Sequence, residues 1–197
     1  FLHVTRPEID LPAGTNPYDG RVYEQAVRNF EELKRAAPLV IEEAPSVYLY
    51  RLKMGSHSQI GVAGCFSLDE YNGDLIKRHE KTRKDKEDDR TRHMISLRAQ
   101  TGVVFLTYRA EPTVDQLQQT VTSGAALYDF TAADGVRHTV WRASLEQTKA
   151  VVAAFARIPS LYIADGHHRV ASAARARTEL GASGPNGATG AGTFIAV

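Results

Sequence analysis

The sequence predicts an α+β fold, a mixed β-sheet with flanking helices, and three observations carry that prediction. Strand-like runs recur at hairpin spacing: Val47 to Met54 with Gln59 to Ser67, and Leu127 to Thr131 with Val136 to Arg142. A further apolar run, Leu161 to Ala164, passes through a short polar turn into Val170 to Arg177, an alanine-rich stretch of high helix propensity. The first strand-to-helix turns lack Gly-x-Gly-x-x-Gly, and Gly-x-x-x-x-Gly-Lys-Ser/Thr occurs nowhere, so a doubly wound nucleotide fold has no support.

Composition narrows the classes of function. The chain has 197 residues, 43% hydrophobic and 24% charged, which suits one globular domain over residues 1–197. A net charge of +1 supplies no global field for nucleic acid or an acidic partner, so any anion site must be local. The single cysteine, Cys65, excludes an internal disulfide framework and fits a reducing, cytoplasmic setting; its place in an apolar run predicts a core thiol. No apolar stretch approaches the roughly 20 residues that span a bilayer, and no signal peptide is visible, so no membrane partner is expected. The start at Phe1 without methionine, and the strand-like Thr193 to Val197 at the end, predict a fragment of a longer chain.

The elements follow in order. Phe1 to Pro12, with polar residues among apolar ones and two prolines, predicts an extended loop or edge segment. Asn16 to Asp19 supply cap chemistry for a helix over Gly20 to Ala37, its apolar face Val22, Ala26, Val27, Phe30 and Leu33, with Pro38 as its stop. Leu39 to Ile41 predicts a short strand before the first hairpin, which turns at Gly55 to Ser58. Asp69 to Arg98 is the most charged part of the chain and predicts one long helix or two with a bend. Within it Asp89, His93 and Leu97 form one i, i+4 row. Val103 to Tyr108 predicts a buried strand, and Val114 to Ser123 a helix with Leu117 and Val121 inward. Asp134-Gly135 turns the second hairpin, and Ser144-Leu-Glu-Gln147 is a capping box for a helix through Arg157, stopped by Pro159. Residues 181–192, rich in glycine, predict a flexible loop.

The chemistry concentrates in Asp165-Gly166-His167-His168-Arg169, between the Leu161 strand and the Val170 helix. A helix start offers unpaired N–H groups and a partial positive charge, and Arg169 and two histidines beside it make an anion site suited to phosphate. Gly166 suits a position of positive φ or close ligand approach, and Asp165 suits capping, orienting an imidazole or holding Mg²⁺. Zinc is disfavoured: adjacent histidines point apart, and no His-Glu-x-x-His occurs. A second constellation, Arg78-His79-Glu80-Lys81-Thr82 with Arg90 further on, offers Glu80 as a general base and His79 as an acid or phosphate ligand if it folds near the turn.

Ile163 to Arg169 resembles the signature turn shared by the ParB N-terminal domain, sulfiredoxin and the ADP-dependent free serine kinases. More closely, Phe1 to Pro12, Arg78 to Thr82 with Asp89-Arg90, and Val104 to Tyr108 resemble a widespread bacterial and archaeal domain-of-unknown-function family, regarded as kin to those kinases. The resemblance implies a ParB/sulfiredoxin-like core whose strand–turn–helix, Gly166, His167, His168 and Arg169, binds nucleotide phosphate. It implies ATP or ADP with Mg²⁺, Asp165 as a metal ligand, and a catalytic carboxylate for which Glu80 is the candidate and Glu8 the reserve, beside His79. Arg78, Thr82, Arg90 and Glu8 are expected near the substrate. The expected activity is phosphoryl transfer from the nucleotide to a small hydroxyl-bearing metabolite such as free serine. A non-catalytic nucleotide sensor and a nucleotidase or phosphatase are the alternatives. Sulfiredoxin chemistry is disfavoured, because His167 and His168 stand where that family carries its cysteine.

Overall fold

The computed structural model describes residues 1–37, 39–181 and 191–197. The chain opens with helix α1 (Leu2–Thr5) and a 3₁₀ turn (Pro7–Asp10), followed by helix α2 (Gly20–Ala36). Strands β1 (Tyr48–Met54) and β2 (His57–Ser67) form the first hairpin, and α3 (Leu68–Asn72) leads to the short β3 (Ile76–Lys77). Helix α4 (Lys84–Leu97), β4 (Phe105–Tyr108) and α5 (Pro112–Thr122) come next. The second hairpin, β5 (Tyr128–Thr131) and β6 (Arg137–Arg142), precedes α6 (Leu145–Phe155). Strand β7 (Leu161–Asp165), helix α7 (His167–Glu179) and β8 (Thr193–Ala196) complete the order.

Five strands, in the order β5-β6-β1-β2-β8, make an antiparallel sheet. Three more, β3-β7-β4, make a mixed sheet in which β3 runs parallel and β4 antiparallel to β7. The free edge of β8 joins them: the Val104 N–H donates to the Ile195 carbonyl at 3.0 Å, and the Val197 N–H to that of Val104 at 2.9 Å. The α+β class with flanking helices is therefore as the sequence predicted.

Core packing follows the alternation of apolar residues. Ile76, Val104, Leu106, Ile163, Val170 and Phe194 pack around the three-stranded sheet under α7. Leu49, Val62 and Trp141 of the larger sheet pack on Val114, Val121 and Val151 of α5 and α6. Val4, Ala26 and Leu97 join α1, α2 and α4 in a third cluster. The Asp89, His93, Leu97 row faces that bundle: Asp89 takes the Tyr23 hydroxyl at 2.6 Å and His93 Nε2 donates to the Val4 carbonyl at 2.9 Å. The capping box at Ser144 forms with both of its hydrogen bonds, a device worth about 0.5–2 kcal/mol.

Five expectations need correction. Phe1 to Pro12 is not extended: its backbone closes into α1 and the 3₁₀ turn, which dock on α2 and α4. Leu39 to Ile41 forms no strand, because no neighbouring strand pairs with it, and Ile41 is 98% exposed. The charged stretch is not continuous helix. Gly73 ends α3, Asp74 turns left-handed at φ 59°, and Ile76 is drawn into the sheet beside Leu161, leaving 78–83 as irregular strap before α4. Val103 to Tyr108 is only half buried, since Val104 and Leu106 face the core while Val103 and Phe105 alternate outward. Cys65 is exposed, on the face of β2 turned from the core and opposite Ile195. The predicted stop at Pro38 and most of the glycine-rich loop (182–190) lie outside the described residues.

Candidate functional site

The site begins where β7 ends. Ile163 anchors the strand in the core, and Gly166 then takes φ 100°, a conformation that L side chains rarely adopt. A Cβ on Gly166 would lie 3.2 Å from Arg169 Nη1 and 3.3 Å from the Val104 Cα, so close packing also demands glycine here. The turn launches the 13-residue α7. The N–H of Arg169 donates to the Gly166 carbonyl at 2.8 Å, so among the described residues the N–H groups of His167 and His168 are the ones without an acceptor in its first turn. Arg169 folds back over the turn: its Nη1 donates to Asp165 Oδ2 at 2.8 Å and to the Val103 carbonyl at 3.1 Å. Gly102 makes room for that guanidinium, since a Cβ there would come within 3.0 Å of Arg169 Cδ and Nε.

On one side of the turn lies the 78–83 strap. The backbone N–H of Arg83 donates to His168 Nε2 at 3.0 Å, and that of His79 to His167 Nε2 at 3.5 Å. The His79 ring meets the His167 ring edge-on at 4.5 Å between centroids, and Glu80 Oε2 stands 3.6 Å from His167 Nδ1. His167 is buried, and burial, followed by the neighbouring His79, pushes its pKa below the ordinary histidine value. Arg78 leans away from the turn onto the ring and hydroxyl of Tyr71, and Thr82 Oγ1 donates to Glu87 Oε2 at 2.9 Å.

On the other side Arg169 and Gly102 border a cavity of about 390 Å³, shared with Arg6, Glu8, Tyr23, Asp89, Arg90 and His93. Arg6 Nε holds Glu8 Oε1 at 2.5 Å. Partial burial alone would raise the Glu8 pKa, yet the Arg6 hydrogen bond and charge, with the residue's own backbone N–H, bring it below the usual carboxylate range. Burial, then the bond to Asp89, raises the Tyr23 pKa, so that phenol stays protonated. Arg90 has no hydrogen bond or ion pair among the described residues.

The structure thus brings His79, Glu80, Asp165, Gly166, His167, His168 and Arg169 around one turn, and sets Glu8 and Arg90 in the adjoining cavity. Arg78 and Thr82 sit on the strap with partners of their own. Sequence reasoning missed Gly102, the Val103 carbonyl, and Asp89 and His93 as cavity residues; the i, i+4 row of the last two was visible, but not what it faced. Asp165 Oδ2 accepts from Arg169, and no group of three or more metal-ligating side chains occurs among the described residues. A magnesium ion, which binds through substrate phosphates and one or two carboxylates, would have to come with a nucleotide.

Fold and site together define an α+β protein with an arginine-bearing strand–turn–helix beside a charged cleft. The chain belongs to the family described as protein of unknown function (DUF1015), whose model matches residues 1–197. No curated protein and no solved structure matches it. No helix among the described residues is long and apolar enough to cross a membrane.

Proposed function

We propose that this chain is a nucleotide-binding phosphotransferase: it holds an ATP or ADP phosphate on the turn at Gly166 and transfers it to a hydroxyl of a small metabolite, in the manner of a free serine kinase. The observation that carries the reading is the placement of Arg169, between the helix start and the 390 Å³ cavity. In-line phosphoryl transfer needs charge neutralisation and positioning more than covalent chemistry. The α7 N–H groups and Arg169 supply the first, in the geometry by which helix starts and guanidinium groups hold phosphate.

In this reading the acceptor hydroxyl comes to the turn from the strap side, where Glu80 stands, and the cavity, with the unpaired Arg90 and the carboxylates of Asp89 and Glu8, takes the polar body of the nucleotide. Glu80 takes the hydroxyl proton, and Asp165 keeps Arg169 aimed across the turn. A ParB/sulfiredoxin-like core is the fold-level counterpart of this proposal, carried by the strand–turn–helix resemblance alone.

A second reading, nucleotide binding without transfer, is favoured by one fact: both nominated carboxylates already have partners, Glu80 in His167 and Glu8 in Arg6. A metabolite-phosphorylation and phosphate-release screen with ATP and ADP offered separately decides among the readings. A phosphorylated small alcohol or amino acid supports transfer. Free phosphate without an acceptor indicates a nucleotidase, and binding without turnover indicates a sensor.

A further inference from the structure

Adjacent residues on a helix point about 100° apart and do not face one another, yet His167 and His168 reach the same neighbouring segment. Their two acceptor bonds, from the N–H groups of His79 and Arg83, bracket residues 80–82. That strap belongs to no helix or strand, so it lacks the repeating backbone bonds that would hold it in place. Its other ties among the described residues are the Thr82 hydroxyl on Glu87 Oε2, the Arg78 guanidinium on Tyr71, the Arg83 guanidinium on Asp85, and the Arg83 carbonyl, which accepts from the Glu87 N–H.

The direction of these bonds has a chemical consequence. A ring nitrogen that accepts a backbone N–H is unprotonated, so a neutral imidazole must carry its proton on the other nitrogen. For His167 that other nitrogen is Nδ1, which stands 3.6 Å from Glu80 Oε2. The backbone of His79 thus selects the tautomer that turns an N–H toward the Glu80 carboxylate. His167 is 5% exposed and boxed in by the His79 ring, so it has little freedom to turn elsewhere.

We infer that His167 and His168 are positioning residues: they pin the 79–83 strap to the α7 turn and thereby set the Glu80 carboxylate beside the phosphate site. This rests on the reading of Glu80 as the base that takes the acceptor's proton. It gives the paired histidines a role distinct from direct phosphate contact, which falls to the helix N–H groups and Arg169.

The test combines amide hydrogen exchange with kinetics on the purified chain and its His168→Ala, His168→Gln and His167→Gln variants. Glutamine retains an acceptor oxygen near the Nε2 position, whereas alanine does not. His168→Ala should speed exchange at the Arg83 amide about fivefold or more, the loss of one hydrogen bond, while β4 and β7 stay protected; His168→Gln should restore it. With ATP or ADP and an acceptor, His168→Ala should lower kcat with little change in nucleotide KM, and His168→Gln should recover kcat. His167→Gln, which keeps the strap bond but turns no ring N–H to Glu80, should lower kcat without loosening Arg83. Unchanged Arg83 exchange in His168→Ala overturns the pinning. Unchanged kcat in both His168→Ala and His167→Gln overturns the positioning role. A wild-type chain that turns nothing over overturns phosphoryl transfer and the positioning role with it, while exchange still decides the pinning.

Discussion

His168 accepts the backbone N–H of Arg83 at 3.0 Å, joining residues 85 apart in the sequence. With the parallel bond between His167 and His79, it brings the charged strap to the turn that carries Arg169. The two constellations that stand apart in the sequence share one end of β7 for this reason.

Arg169→Ala removes the one guanidinium held over the turn and should weaken ATP or ADP binding roughly tenfold or more, as charged hydrogen bonds contribute about 1.5–3 kcal/mol. Its pair with Asp165 is largely exposed and adds little to stability, so the melting temperature should move little. Calorimetry that finds the same nucleotide affinity in the variant rules out phosphate on this turn.

Gly166→Ala must adopt φ 100° with its methyl against the Val104 backbone. The expected cost is about 1–3 kcal/mol, read as a lower urea midpoint at unchanged m-value. Wild-type stability in this variant would show that the turn relaxes freely.

Glu80→Gln keeps the size of the side chain and removes its basicity. Turnover should fall about 10²–10⁴-fold while nucleotide affinity is retained. Full activity in Glu80→Gln, with loss in Glu8→Gln, would move the base to the cavity side of Arg169.

The depressed pKa of His167 makes stability depend on pH. The unfolded histidine, near 6.5, binds its proton before the folded one does. Between that value and the lower folded pKa the unfolded chain holds more protons, so this contribution is complete above about pH 6.5 and is lost as pH falls through the window. Urea melts at about pH 7.5 and 5.5 should show the drop, and His167→Gln should lessen it; equal pH dependence in the two chains would assign it to other groups.

Local signals in the sequence were reliable where the chain itself satisfies its backbone. The capping box at Ser144, the Asp-Gly turn at Gly135, the hairpin at Gly55 and the strand–glycine–helix passage at Gly166 are decided within a few residues, and all form. Where the partner is distant, the same reasoning failed. Leu39 to Ile41 has the residues of a strand but no neighbour, and Ile76 left a helix-like pattern because β7 offered it a ladder. Cys65 lay in an apolar run whose alternate residues face opposite sides, and the face turned from the core was not readable locally.

By itself, then, the sequence determined the α+β class, the positions of most elements and the residues of the turn, because periodicity, caps and glycines act over one or two turns of chain. Only the tertiary structure decided that Arg169 lies between the strap and the cavity, that Glu80 meets His167, and that Glu8 and Arg90 share a cleft. Those relations depend on which strand neighbours β7 and on the docking of α4 beside α7, which are set by burying long-range apolar surface such as Ile76, Val104 and Val170. No local pattern encodes them.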